Sequence, residues 1–280
     1  MKTHALAVAL AAFVSIGSIT AHAALTTVDN FSSVTTDGTL LSTVPGWSLA
    51  TGSANTATVS LGTGYGGGNS STITANEGYG LTLSGGNVMT AADGPLEFKL
   101  NFKSIASTDA YQQSIIMIAE NGGVNGLAIQ FNGGTQNGKT DNYIQVSSGT
   151  GTSWGGAGLS VIVPDSAWET GRWYEVTFRF ELKSTGIGQD VSGLLSVYDT
   201  VTSSFLVQDI VIGGIGSTGG AFDKVNVVQV KNNGTARAFE VSDIRIGTAA
   251  VPEPAITVLL AGLSVLGLVA LRSRLQKKPR

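Results

Sequence analysis

Cysteine is absent from the 280 residues, and the only two histidines, His4 and His22, lie near the start of the chain. Without thiols the protein forms no disulfide and holds no Cys-ligated zinc, so its stability must come from packing and backbone hydrogen bonds. Charge is also scarce: Asp, Glu, Lys and Arg together make up 12% of the residues, with a formal net charge of -3. No basic patch of the kind that binds nucleic acid is visible, so nucleic acid is excluded as an expected partner. Convincing helical periodicity is missing from the whole middle of the chain.

What the sequence has in abundance is glycine, 38 residues of it, together with Ser, Thr and Asn. That composition predicts an uncharged but polar surface with many turns, as in all-β extracellular proteins. Met1 to Ala23 has the pattern of a secretory signal: Lys2 near the start, a mostly apolar Ala5 to Ile19, and the small-residue site Ala21-His22-Ala23. Cleavage there starts the mature chain near Ala24 and implies handling by the Sec export machinery and signal peptidase. Both histidines leave with the signal. The mature chain then has no imidazole, which excludes Ser-His-Asp and Cys-His catalysis and His-ligated zinc.

At the other end, Pro252-Glu253-Pro254 precedes an uncharged run, Ala255 to Leu271, and the basic residues Arg272, Arg274, Lys277, Lys278 and Arg280. A helix of about 17 residues spans about 25 Å, slightly short of a hydrocarbon core of about 30 Å, and basic ends snorkel to make up the difference. The cationic cluster predicts a cytoplasmic C-terminus and an exported N-terminal part. The two prolines stop any helix arriving from upstream and leave an extended peptide at the membrane surface. This order of parts resembles the PEP-CTERM sorting domain of Gram-negative bacteria, with Pro252, Glu253 and Pro254 as its signature. The resemblance covers about the last thirty residues. It implies recognition and cleavage by an exosortase, an integral-membrane protease. The chain is then anchored only transiently in the inner membrane before reaching the cell surface or the exterior. It also implies an association with exopolysaccharide and biofilm. An ordinary single-pass anchor is the competing reading of the same hydropathy.

Between the ends lie residues 24–248, about 225 residues, enough for one large sandwich with a real core. Short β-like runs alternate with Gly, Asn, Asp and Ser. Leu25 to Phe31, Thr56 to Leu61, Ser71 to Ala75 and Tyr79 to Leu83 come first, and Asn76-Glu77-Gly78 is expected to turn a hairpin. Leu96, Phe98, Leu100 and Phe102 alternate with Glu97, Lys99, Asn101 and Lys103. Ser114 to Ala119 is apolar on both faces. Gly126 to Phe131, Tyr143 to Ser147 and Leu159 to Val163 follow. Trp173 to Leu182 alternates clearly and should pair with Gly193 to Asp199. Phe205 to Ile212, Phe222 to Val230 and Ala236 to Ile246 complete a two-sheet antiparallel jelly-roll sandwich. Gly171-Arg-Trp-Tyr-Glu-Val, Gly193-Leu-Leu-Ser-Val-Tyr-Asp and Phe239-Glu-Val-Ser-Asp-Ile-Arg-Ile resemble later strands of concanavalin A-like (laminin-G, lectin and glucanase) jelly rolls, over roughly residues 170 to 247.

No catalytic residue is assigned. Jelly-roll glucanases set two or three acids on one strand face, because side chains two apart point the same way and so aim acid and nucleophile at one bond. Here Glu175, Arg179 and Glu181 come nearest, and Arg179 is expected to pair with a carboxylate on a solvated outer face. Glu97 with Lys99 reads the same way. Trp154 and Tyr65, each in a glycine-rich loop, are the candidate glycan-stacking aromatics, with folding back onto the sandwich as the alternative. Trp47, Trp168 and Trp173 adjoin strands and are expected to pack. Asp29 and Asp243 are candidate ligands of a structural Ca²⁺ if the first and last strands pair, against the plainer reading of surface turn acids. Two functions remain open: a non-catalytic exported surface or matrix protein, glycan-binding or simply structural, or a secreted carboxylate-dependent glycan hydrolase. They are separated by whether a groove holds two carboxyl groups about 5 to 9.5 Å apart.

Overall fold

The computed structural model describes residues 24–74, 76–105, 112–119, 126–133, 142–149, 160–164, 166–182, 190–216, 224–233 and 238–249. Ala24–Ala249 forms a compact unit. The expected signal, sorting motif, apolar run and basic cluster lie outside the described residues, as does Trp154. Among the described residues, no helix is long and apolar enough to cross a membrane.

The strands in chain order are β1 (Ala24–Asp29), β2 (Thr39–Leu40), β3 (Trp47–Thr51), β4 (Thr58–Ser60), β5 (Ser70–Ile73), β6 (Gly78–Thr82), β7 (Met89–Thr90), β8 (Leu96–Ser104) and β9 (Gln112–Ala119). There follow β10 (Gly126–Gly133), β11 (Tyr143–Gly149), β12 (Ser160–Ile162), β13 (Trp173–Phe180), β14 (Asp190–Asp199), β15 (Ser204–Gly216), β16 (Lys224–Val225), β17 (Val227–Asn233) and β18 (Phe239–Thr248). One sheet runs β15-β14-β13-β8-β18-β5-β4-β2, with β1 also paired to β18; the other runs β12-β11-β10-β9-β17-β6-β3. Pairing throughout both sheets is antiparallel. The pair β8·β18 in one sheet is continued by β9·β17 in the other, so a single antiparallel ribbon wraps from sheet to sheet as in a jelly roll.

Period-two alternation explains why these segments form strands and which side they bury. Leu96, Phe98, Leu100 and Phe102 of β8 are fully buried, as are Val176 and Phe178 of β13. The sheets meet face to face. Phe102 stacks on Phe131 of the opposite sheet at 3.9 Å between centroids, and Trp168 closes on both rings edge-on at 6.3 and 6.0 Å. Trp168 anchors itself by donating its indole N–H to the Tyr143 carbonyl at 3.2 Å. Each such buried ring stabilises the fold by about 1.5–3 kcal/mol. The ion pairs on the outer face, such as Lys99–Glu175, are half-exposed and contribute at most about 1 kcal/mol. Packing therefore dominates, as a chain without disulfides requires.

Several sequence expectations need correction. Asn76-Glu77-Gly78 is not a hairpin turn, because β5 belongs to one sheet and β6 to the other. The link crosses the sandwich edge, and Glu77 turns inward to accept the Thr56 amide and the Tyr79 hydroxyl. The run Phe222 to Val230 is divided: Lys224–Val225 pairs with β7, whereas β17 joins the main sheet. Asn226 between them donates its amide to the Ala119 carbonyl and accepts from Leu83. The short strands β2, β3 and β7 carried too few residues to show a period.

Candidate functional site

Three segments converge beside the middle of β18, where its pairing passes from β1 to β5. The first leaves β1. Asp29 closes that strand, its Oδ1 accepting the Phe31 amide at 2.7 Å and its Oδ2 the Trp47 indole N–H at 2.6 Å. The chain turns at Phe31, whose φ is 57°, and Asn30 accepts the Ser32 amide.

The second segment is the glycine-rich loop Gly62 to Asn69. It closes on itself, with the Gly64 amide bound to the Gly68 carbonyl at 2.8 Å and the Gly67 amide to the Gly64 carbonyl at 3.1 Å. A Cβ on Gly64 would stand 2.4 Å from the Asn69 carbonyl oxygen, so only glycine allows this tight return. Asn69 fastens the loop to the first segment: its amide donates to the carbonyls of Phe31 and Val34, and its side-chain oxygen accepts from Gly62. Tyr65 stands at the tip, 45% exposed.

The third segment is a bulge in β18. The register against β8 slips between Ser242 and Arg245, and Asp243 adopts a φ of 52°. The bulge turns Asp243 and Arg245 onto the surface as a fork, with Arg245 Nε donating to Asp243 Oδ1 at 2.9 Å and Nη2 to Oδ2. Asp243 raises the arginine's affinity for its proton, so the guanidinium stays charged. The Tyr65 amide donates to the Ser242 hydroxyl at 3.4 Å and ties loop to bulge.

Together these segments line a cleft of about 420 Å³ bounded by Asn30, Tyr65, Asn69, Ser242, Asp243 and Arg245. That volume falls within the range of small-molecule sites. It offers a half-exposed aromatic face, one carboxylate, one guanidinium, two side-chain amides and two serine hydroxyls. Since the two charges neutralise each other, the site carries no strong field of either sign. It suits a neutral, hydroxyl-rich ligand.

The structure thus brings together Tyr65 and Asp243, which the sequence offered for different roles. Asp29 and Asp243 also approach, since β1 pairs with β18 and Asp29 stands opposite Ile244. Each carboxylate is already engaged, however. Both oxygens of Asp29 are held by Phe31 and Trp47, and both of Asp243 by Arg245. Calcium takes six to eight oxygens and would have to displace a guanidinium here, so the donor set does not fit it. Among the described residues, no group of three or more acidic, His or Cys side chains is placed to hold a metal.

The remaining named residues fall elsewhere. Arg179 pairs with Glu97 at 2.6 Å on the outer face and lies 3.6 Å from Asp209, Glu175 pairs with Lys99 at 2.7 Å, and Glu181 lies beyond the end of β13. Trp47 and Trp168 are buried, and Trp173 lies half-buried under Lys103, 4.9 Å from its ring. Sequence reasoning missed Asn69, Ser242 and Arg245. One signal for the bulge was present: apolar residues fall at Phe239 and Val241, then at Ile244 and Ile246, a slip of one that breaks the period of two.

No protein-family model matches the sequence, and no curated protein matches it. Among solved structures, the chain is similar to the binding domain of botulinum neurotoxin serotype G, at 12% identity and a TM-score of 0.39. That similarity covers 76% of this chain and 48% of the other, so this chain spans about half the length of the neurotoxin domain. It is also similar to lectin UEA-II complexed with galactose (9% identity, TM-score 0.42, 72% and 91% of the two chains). A third similarity is to carbohydrate-binding module CBM66 from Bacillus subtilis (9% identity, TM-score 0.39, 72% and 96%).

Proposed function

We propose that this chain is an exported, non-catalytic β-sandwich protein that holds a neutral glycan in the cleft beside Tyr65. The carrying observation is the juxtaposition of the half-exposed Tyr65 ring with the Asp243–Arg245 fork across one cleft. A pyranose ring presents an apolar C–H face and a rim of hydroxyls. The tyrosine takes the face. Asp243 accepts from one hydroxyl, and Arg245 and Ser242 donate to its neighbours. Because Arg245 already has its counter-ion, a uronic acid gains little charge attraction here, and binding is expected to be nearly independent of salt.

The hydrolase reading finds less support. Cleavage of a glycosidic bond ordinarily needs two carboxyl groups about 5 to 9.5 Å apart, whereas the cleft is lined by a single carboxylate, held by arginine. The test is binding of the full chain, kept in mild detergent, to immobilised neutral and uronate-containing polysaccharides. Tyr65→Ala removes a contact of about 1–1.5 kcal/mol and should weaken binding about tenfold, with circular dichroism unchanged. Undiminished binding by that variant would overturn the site. Release of reducing ends from the bound polymer would overturn the non-catalytic reading.

Delivery belongs to the same proposal. Pro252-Glu253-Pro254, the apolar run and the basic end support sorting by an exosortase to the cell surface or an exopolysaccharide matrix. Mass spectrometry of the exported protein is expected to show a chain that starts near Ala24 and lacks everything after the Pro-Glu-Pro region. An intact C-terminus in cells with an active exosortase would refute it.

A further inference from the structure

One row of cross-strand neighbours leads away from the cleft over the nine-stranded sheet. Ser242 of β18 stands opposite Asn101 of β8, and Asn101 opposite Glu175 of β13. Glu175 stands opposite Tyr198 of β14, and Tyr198 opposite Phe205 of β15. Residues directly opposite one another share a face of the sheet. Here it is the outer face, because the alternate residues Phe102, Val176 and Val197 are buried in the core. The row starts where the Tyr65 amide meets the Ser242 hydroxyl and ends at the exposed ring of Phe205. With strands about 4.8 Å apart, the distance from β18 to β15 is about 19 Å, the length of several sugar residues.

The chemistry along this row repeats that of the cleft. An aromatic stands at each end: Tyr65 at one, and Phe205 with Tyr198 edge-on at 5.2 Å at the other. A hydroxyl, an amide and a carboxylate lie between them. Asn101 is 4% exposed, and its Oδ1 has no hydrogen-bond partner among the described residues. Native folds leave few buried acceptors without a donor. A hydroxyl from outside the chain supplies the donor that the fold does not. Lys99, bound to Glu175 at 2.7 Å in the same row, has a partly exposed and flexible side chain that can swing aside to admit it.

The ions on this face are matched. Besides Lys99 with Glu175, Lys103 pairs with Glu240 at 2.7 Å and Arg179 with Glu97 at 2.6 Å. Asp243 first, and Glu175 more weakly, hold the proton on Arg245, so row and cleft share one balanced set of charges. Such a surface complements a ligand without net charge.

We infer that the cleft is one end of a longer track, on which a linear neutral polysaccharide lies across the strands from Tyr65 to Phe205. This inference rests on the glycan reading of the cleft. Tyr65 takes the face of one sugar ring, and Phe205 with Tyr198 takes another several residues along the polymer. Ser242, Asn101 and Glu175 bond to hydroxyls between them.

Calorimetric titration of the full chain tests the track, in a detergent without a sugar headgroup. The probes are glucose, mannose and galactose, each as the monosaccharide and as a linear hexasaccharide. The best-bound hexasaccharide is expected to bind at least about tenfold more tightly than its monosaccharide. Phe205→Ala should weaken the hexasaccharide about fivefold and leave the monosaccharide unchanged, whereas Tyr65→Ala should weaken both. Val211→Ala lies on the same face, off the row and more exposed, and should alter neither. A hexasaccharide bound no more tightly than its monosaccharide overturns the track and leaves the cleft standing. Unchanged hexasaccharide affinity in Phe205→Ala does the same, as does an equal loss for both lengths in that variant. If no probe binds, or if Tyr65→Ala binds both lengths as the native chain does, the cleft reading falls and the track falls with it.

Discussion

Glu77 is 1% exposed, yet its carboxylate is ionised inside the sandwich edge. Burial by itself pushes its pKa up. The Thr56 amide, the Tyr79 hydroxyl and the hydroxyls of Thr56 and Thr74 pull it down, and they prevail, leaving it below the ordinary 4.5. The bonds are of ordinary length, 3.0 and 3.1 Å from the Thr56 amide and 2.9 Å from Tyr79, but several converge on one carboxylate. Tyr79 in turn is pushed up to about 12, by burial first and then by the neighbouring carboxylate, so it stays a donor at any physiological pH. A carboxyl whose folded pKa is depressed adds stability that is complete above its unfolded value and lost as pH falls through the folded one. Glu77→Gln should therefore cost about 1–3 kcal/mol at neutral pH. The loss should shrink as pH drops below about 4.5. Urea unfolding of both forms at pH 7 and pH 3.5 measures it, and a constant difference would show that the charge is not what these donors hold. This residue was invisible to sequence reasoning. Between two strand-like runs, Asn-Glu-Gly looks like any polar turn, and only the partners contributed by Thr56 and Tyr79 reveal the buried acid.

At the scale of the element, β8, β13 and β14 were legible because each sets apolar residues on one face and mostly polar ones on the other, and period two then writes itself into the residue types, although in β8 the polar Glu97 and Asn101 are themselves buried, not solvated as expected. β9 was legible for the opposite reason: Ile115 and Ile116 are both fully buried, so the run is apolar throughout. Gly193 shows what the pattern concealed. It stands opposite Phe180 and Ile212, and a Cβ there would lie 2.4 Å from the Arg179 carbonyl oxygen and 2.8 Å from the Phe178 ring. Glycine is present in mid-strand because the neighbouring backbone and ring already fill the space. Gly193→Ala should destabilise by about 1–3 kcal/mol through forced displacement of Phe178. A shift of the urea midpoint measures this, and an unchanged midpoint would mean that the hairpin opens at no cost. The candidate cleft also belongs to this scale. Its three segments are a strand end, a glycine loop and a bulge, and the Tyr65 amide and Ser242 hydroxyl that join two of them lie 177 residues apart in sequence.

For the molecule as a whole, the chain by itself determined its class. Alternating apolar residues, frequent glycine and the lack of cysteine leave an antiparallel sandwich held by packing as the economical solution, and local periodicity is sufficient to state that. The proposed sorting signal also rests on the sequence alone, on Pro252-Glu253-Pro254, the apolar run and the basic residues in that order. Only the tertiary structure decided which strands share a sheet, that β5 and β6 part company, and that Tyr65, Asp243 and Arg245 line one cleft. The physical reason is range. A side chain's facing depends on its immediate neighbours, whereas strand order and cleft lining depend on contacts between residues far apart, whose partners no local pattern names.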